Sequence, residues 1–132
     1  MTILQECTWC GGRIEARMSR IPVDVGQYSV VLTTPVEACT QCTEWYVSAE
    51  VMRDIDWRAA RAVLSPEFSG VIGGQELTAA WQATGVSRPQ FDMLAGAPGA
   101  ELLTTWGMAA VIPAEVRAMA LRALDAVRVG AT

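Results

Sequence analysis

The sequence contains no histidine and no lysine. Without histidine, no imidazole can ligate a metal, act as a general base at neutral pH or serve as a pH switch. Serine–histidine and cysteine–histidine catalytic arrangements are excluded for the same reason. Every side-chain cation is an arginine, able to make a bidentate contact to carboxylate or phosphate. There are only ten of them against fourteen acidic residues, a formal net charge of −4, and that balance is a poor footprint for nucleic acid. No apolar run reaches the length of a membrane span. The N-terminus, MTILQECTWC, lacks the basic and apolar regions of a secretory signal. The glycines at 70–74 match neither a phosphate-binding loop nor a dinucleotide fingerprint. The expectation from these absences is a non-enzymatic, cytoplasmic protein without a membrane partner.

What is present is a compact apolar composition and a cysteine pattern. The 132 residues are 52% hydrophobic and 18% charged, which fits a globular fold and argues against disorder. A chain of this size has a poor ratio of volume to surface, so metal staples are common. The four cysteines form two pairs, Cys7-x-x-Cys10 and Cys39-x-x-Cys42. In a reducing compartment such pairs are metal ligands or catalytic groups more often than disulfides. A Cys-x-x-Cys turn brings two sulfurs to one ion, and four thiolates complete a tetrahedral zinc site with no open position. The site is therefore expected to hold structural zinc. Cys10-Gly11-Gly12 supplies the glycine that relieves crowding in such a knuckle; Cys42-Thr43-Glu44 does not. A redox Cys-x-x-Cys is the alternative, but it belongs to a βαβ unit and none is visible. An iron centre on four thiolates is the remaining option.

Between the cysteine pairs the chain reads as β. Polar and apolar residues alternate over 13–18, and Tyr28, Val30 and Leu32 repeat the period of two. Pro22, Asp24 and Gly26 supply turn chemistry between them. Thr33-Thr34-Pro35 is expected to break the second strand, and 45–47 to add a short third one.

From Ser48 onward the pattern is helical. Ser48 reads as an N-cap for a helix over 49–64 whose apolar face is Val51, Met52, Ile55, Ala59, Ala62 and Val63. Ser65-Pro66-Glu67 is expected to restart a helix. A further helix over 75–84 closes at Gly85. Ser87-Arg88-Pro89-Gln90 reads as a capping box opening the next, which ends at Gly96. Pro98-Gly99 is expected to open another, running to Trp106 or Met108. Pro113 opens the last, with Val116, Met119, Ala120, Ala123 and Val127 inward and Arg117, Arg122, Asp125 and Arg128 outward. Met93, Met108 and Met119 are expected in the core. Trp57, Trp81 and Trp106 are expected to pack internally, while Trp9 and Trp45 stand beside the cysteines, where they could mark a binding surface. Glu44, Glu50, Asp54 and Asp56 read as a solvated acidic face.

The fold class is thus α+β. A small zinc-binding β-hairpin domain over 1–60 precedes an all-α domain over 61–132, with the boundary near 56–65 and the helix from Ala49 bridging the two. The turns at Gly85-Val86-Ser87 and Gly96-Ala97-Pro98-Gly99 suggest a helix–turn–helix.

The cysteine motif CxxCGG, the β segment, the run VVLTTPVEACTQCTEWYVS and the following helix resemble a YgiT-type zinc finger. The second half, from SPEF through Gly85-Val86-Ser87 to Trp106 and Pro113, resembles the XRE-like helix–turn–helix of MqsA-type antitoxins. The resemblance implies a structural zinc on Cys7, Cys10, Cys39 and Cys42. It implies an N-terminal domain that neutralises a partner toxin, often an RNase. It also implies a helical half that dimerises and binds a palindromic operator. The family reads bases with an asparagine and, four residues later, an arginine; those positions are Glu101 and Thr105 here. Glutamate can accept from cytosine N4 but cannot make the bidentate contact to adenine, and threonine carries no charge. Trp81 stands where the family often has arginine and Asp92 where it has alanine. DNA contacts implied by the resemblance would use Arg88, Gln90, Thr104 and Thr105, with Glu101 at the base-reading position.

Overall fold

The computed structural model describes residues 6–42 and 44–130, with side chains through Arg128. Two long strands, β1 (Ile14–Val25) and β2 (Tyr28–Cys39), form an antiparallel hairpin in unbroken register from Ile14 opposite Cys39 to Val25 opposite Tyr28. The two-residue β3 (Trp45–Tyr46) pairs with Glu37 and Ala38 on the far side of β2. Five helices follow: α1 (Ala49–Leu64), α2 (Gly74–Thr84), α3 (Arg88–Leu94), α4 (Leu102–Trp106) and α5 (Ala114–Gly130). The α+β class matches the reading of the sequence, and so does the element order except for the helix expected from Ser65, which is absent.

Several boundaries differ, each for a physical reason. Thr33-Thr34-Pro35 does not interrupt β2, because β-branched threonine suits a strand. Pro35 pairs with Met18 where β2 is a sheet edge, β3 reaching only Glu37 and Ala38, and an edge tolerates a missing N–H. Pro22 and Asp24 likewise lie within β1, itself an edge strand, and only Gly26-Gln27 turns. Gly26 has φ +59°, a conformation glycine adopts without strain. Ser65-Pro66-Glu67 forms a turn and no helix. The proline ring drives Ser65 to ψ 142°, out of the helical region. Pro98-Gly99 opens no helix either. Gly99 and Glu101 have φ +76° and +50°, and α4 begins only at Leu102.

The core joins the hairpin tip to the helices. Val25 is buried together with Ala59, Val63, Leu77, Phe91, Ala120 and Leu124, and Val23, Tyr28, Val30 and Leu32 pack against them. A smaller cluster lies further along the sheet, where Ile21, Val36 and Ala38 meet Ile55 of α1. Thus α1 touches the sheet through Ile55 and the helical core through Ala59, Ala60, Val63 and Leu64. The apolar face of α1 is rotated from the expected one. Met52 and Ala62 are exposed, and Ala60 and Leu64 are buried instead.

Helix ends are satisfied largely as the sequence suggested. Ser48 Oγ accepts the Val51 amide at 3.2 Å, Ser87 Oγ accepts the Gln90 amide at 3.3 Å, and Gly85 closes α2 at φ +70°. Arg117 is a correction. It turns inward, donating from Nε to the Leu64 carbonyl at 2.8 Å and from Nη2 to the carbonyls of Ser65 and Phe68. A cation thus meets the last carbonyls of α1, which have no partner within the helix. Met93 and Met108 are also corrections, being 66% and 98% exposed; Met119 packs against the core.

Candidate metal centre

The base of the hairpin, opposite the tip held by the helices, carries the four cysteines. Cys39 ends β2 opposite Ile14, and the first knuckle precedes β1. A bridge between Glu6 and Arg13 draws the chain ends of that knuckle together. Within it the Cys7 amide donates to the Gly12 carbonyl at 2.8 Å and the Gly11 amide to the Cys7 carbonyl at 2.9 Å. The knuckles are fastened to each other by the amide and hydroxyl of Thr40, which donate to the Arg13 carbonyl at 2.9 and 3.0 Å. Strand pairing, the knuckle turns and the Thr40 bonds together place Cys7, Cys10, Cys39 and Cys42 side by side.

All four Sγ atoms lie within 4.8 Å of one another. Cys7 and Cys42 approach to 3.6 Å, and Cys10 and Cys39 to 3.4 Å. A disulfide would bring sulfurs to about 2.05 Å, so these are thiols. A tetrahedral ion with metal–sulfur bonds of about 2.3 Å spaces its ligands about 3.8 Å apart. The sulfurs scatter around that value, and the cluster is a possible site for one metal ion.

Backbone amides reinforce the site. Those of Gln41 and Cys42 donate to Cys39 Sγ, both at 3.4 Å, and those of Trp9 and Cys10 lower the Cys7 thiol. Amide donors stabilise thiolate, the form that binds metal. The glycines divide their work. Gly11 takes φ +73° to complete the turn, whereas a side chain on Gly12 would place its Cβ 2.9 Å from Cys39 Sγ.

Without a metal, four sulfurs this close cannot all ionise. They split accordingly. The Tyr46 phenol, with the Cys10 and Trp9 amides, outweighs burial and holds the Cys7 thiol down at about 6. The Gln41 amide does the same for Cys39, against burial. For Cys42 the Glu44 amide pulls down, but burial and the three neighbouring sulfurs push the thiol up to about 12. Cys10 is also raised, the Cys39 sulfur and burial outweighing the Gly12 amide. A bound cation removes this conflict.

Tyr46 is a residue the sequence reading did not single out. Its hydroxyl lies 3.2 Å from Cys7 Sγ and 3.3 Å from Thr8 Oγ1. The signal available was its position next to Trp45 in a strand pairing beside the second knuckle. Trp9 and Trp45 flank the cluster and are 77% and 45% exposed. Trp57 and Trp81 are instead half-buried, their indole N–H groups bonded to the carbonyls of Leu124 and Val86 at 2.7 and 2.8 Å.

The residues considered for DNA contact lie at the α3–α4 corner. Arg88, Glu101 and Thr104 line one groove of about 390 Å³; Gln90 and Thr105 are exposed but do not line it. The Arg88 guanidinium sits 5.3 Å from the Trp81 ring centre, a cation–π distance. Asp92, buried in the same groove, accepts the amides of Glu101 at 2.9 Å and Leu102 at 3.2 Å. Glu101 makes no side-chain cap of its own and stands in the left-handed region. Asp92 thus replaces the N-cap of α4 from the neighbouring helix.

Among the described residues no helix is long and apolar enough to cross a membrane. Comparison with protein-family models, curated proteins and solved structures gives no match to this chain.

Proposed function

We propose that the four cysteines hold one structural zinc ion and that the chain is an antitoxin-like regulator of the MqsA type, cytoplasmic and without enzymatic activity. The observation that carries the reading is the pair of matching knuckles converging four sulfurs within 4.8 Å at the base of the hairpin. Thiolates alone in the donor set suit zinc, and four of them leave no open position for catalysis. The zinc-held sheet presents Trp9 and Trp45 to a protein partner. Tryptophan is enriched at binding hot spots, and the acidic balance of the chain complements a basic partner such as an RNase toxin. The helical part forms the homodimer and brings Arg88, Gln90, Glu101, Thr104 and Thr105 to operator DNA.

A second reading is favoured by the α3–α4 groove: an interaction protein of the same fold that neutralises or adapts a partner without binding DNA. Arg88 is stacked on Trp81, and the groove also presents two carboxylates, Asp92 and Glu101. Few released counterions mean weak DNA binding.

A mobility-shift assay on the gene's own promoter DNA at graded salt, run beside co-purification with the neighbouring gene product, tests both. A salt-sensitive shift supports the regulator. No shift at low salt with a stable protein complex supports the adaptor. Neither a shift nor a complex, with zinc bound, would sink both functions and leave only the metal centre.

A further inference from the structure

The geometry points to the metal cluster being an oxidation site whose product is a disulfide across the two knuckles, Cys10 to Cys39, so that peroxide releases the ion yet leaves the hairpin base tied. This inference rests on the zinc reading above.

Two features of the cluster carry it. The first is distance. Cys10 and Cys39 approach to 3.4 Å although they belong to different knuckles, so little movement is needed to reach bonding distance. The second is unequal shielding. Cys39 and Cys7 are buried, at 1% and 4% exposure. Cys39 accepts two backbone amides at 3.4 Å and lies against the slot left by Gly12. Cys7 is covered by the Tyr46 hydroxyl. Cys10 is exposed. An oxidant from solvent therefore meets Cys10 first, with Cys39 poised behind it as the resolving thiolate.

The chemistry balances with hydrogen peroxide as the oxidant. Cys10 Sγ attacks one peroxide oxygen; an S–O bond forms, the O–O bond breaks and hydroxide leaves. Cys39 Sγ then attacks the sulfenic sulfur; an S–S bond forms, the S–O bond breaks and a second hydroxide leaves. Two thiolates lose two electrons, peroxide is reduced, and both hydroxides take up protons to give water. Only Cys7 and Cys42 would remain as ligands, too few to hold an ion that takes four. The new bond spans the same gap the metal spanned, between the chain before β1 and the end of β2. Pairing inside each Cys-x-x-Cys would instead leave the two knuckles without a covalent link.

The arrangement of arginines makes the two outcomes separable by trypsin. Cleavage after Arg13, Arg17, Arg20 and Arg53 puts Cys7 and Cys10 in the peptide 1–13, and Cys39 and Cys42 in the peptide 21–53. The full-length zinc-loaded protein is treated with peroxide, metal release is followed with a chromophoric chelator, free thiols are blocked, and the digest is analysed by mass spectrometry without reduction. The expected result is one zinc released per chain, with 1–13 linked to 21–53 and fragmentation placing the bond between Cys10 and Cys39. Far-ultraviolet circular dichroism should keep its strand contribution. Separate peptides, each two hydrogens lighter, or a bond from Cys7 to Cys39 would overturn the proposal. Elemental analysis before peroxide separates the two failures: metal-free protein overturns the zinc reading, and metal-loaded protein with separate peptides overturns the pairing.

Discussion

The carboxylate of Glu76 accepts the backbone amide of Gln27 at 2.9 Å, joining the tip of the hairpin to the first turn of α2. Its other oxygen accepts the Gly73 amide at 2.7 Å, so one buried side chain closes the β-turn and caps the helix. A negative charge there also meets the positive end of the helix. Gly26 leaves the space: a Cβ on it would fall on the Glu76 carboxylate.

Replacing Glu76 by alanine should therefore cost about 2–4 kcal/mol, since two amides lose their acceptor and a cavity opens. Glu76→Gln keeps the shape and one acceptor and should cost less. Urea denaturation followed by circular dichroism checks both, and equal stability of Glu76→Ala and the parent protein would refute the coupling. Gly26→Ala should be destabilising for two reasons, left-handed backbone and collision with the same carboxylate.

Zinc affinity should rise with pH. The bound state needs four thiolates, whereas the free cluster keeps the Cys42 proton until about 12 and loses the Cys7 proton near 6. Fewer protons are bound with metal than without, so raising the pH favours binding. Acidification through the Cys7 value adds a further proton competitor to those on Cys42 and Cys10 and should steepen the loss of metal. Chelator competition at a series of pH values reads the slope; a flat profile would exclude thiolate ligation.

Cys39→Ser should abolish high-affinity metal binding and loosen only one end of the sheet. Cys39, Cys7 and Ile14 form a cluster of their own, while Val25 lies in the helical core. Hydrogen exchange should lose protection at the pairs near Ile14 and Cys39 and keep it near Val25 and Tyr28. Loss of protection throughout the hairpin would show that the metal, and not the helical core, holds the tip.

The cysteine site and the helical half were legible in the sequence because both rest on local rules, a short spacing motif and capping chemistry. Ser48, Gly85 and Ser87 do what their residue types favour. Long-range partners were not legible. Nothing in the spacing of Arg117 shows that its guanidinium will find the carbonyls at the end of α1, and Glu76 gives no sign that its second acceptor bond reaches back to Gln27. Proline misled in both directions. Pro66 opens no helix where one is expected, and a strand at the sheet edge absorbs Pro22 and Pro35, expected in a turn and at a strand break. The exposure of Met108 was hidden because methionine reads as apolar wherever it falls.

Asp92 offers the sharpest test of the α3–α4 corner. The first turn of α4 has no cap from Glu101, whose backbone is in the left-handed region, and the amides of Glu101 and Leu102 both rely on the Asp92 carboxylate. Asp92→Ala should leave both amides without an acceptor and cost about 1–3 kcal/mol, with the loss concentrated in a helix of only five residues. Asp92→Asn retains one carbonyl acceptor and should fall between. If α4 contributes to DNA binding, Asp92→Ala lowers the affinity for promoter DNA while leaving zinc content and the partner complex unchanged, since the cysteines lie at the opposite end of the hairpin. Equal exchange protection of the Leu102 amide in Asp92→Ala and the parent would show that the cap is not what fixes the turn.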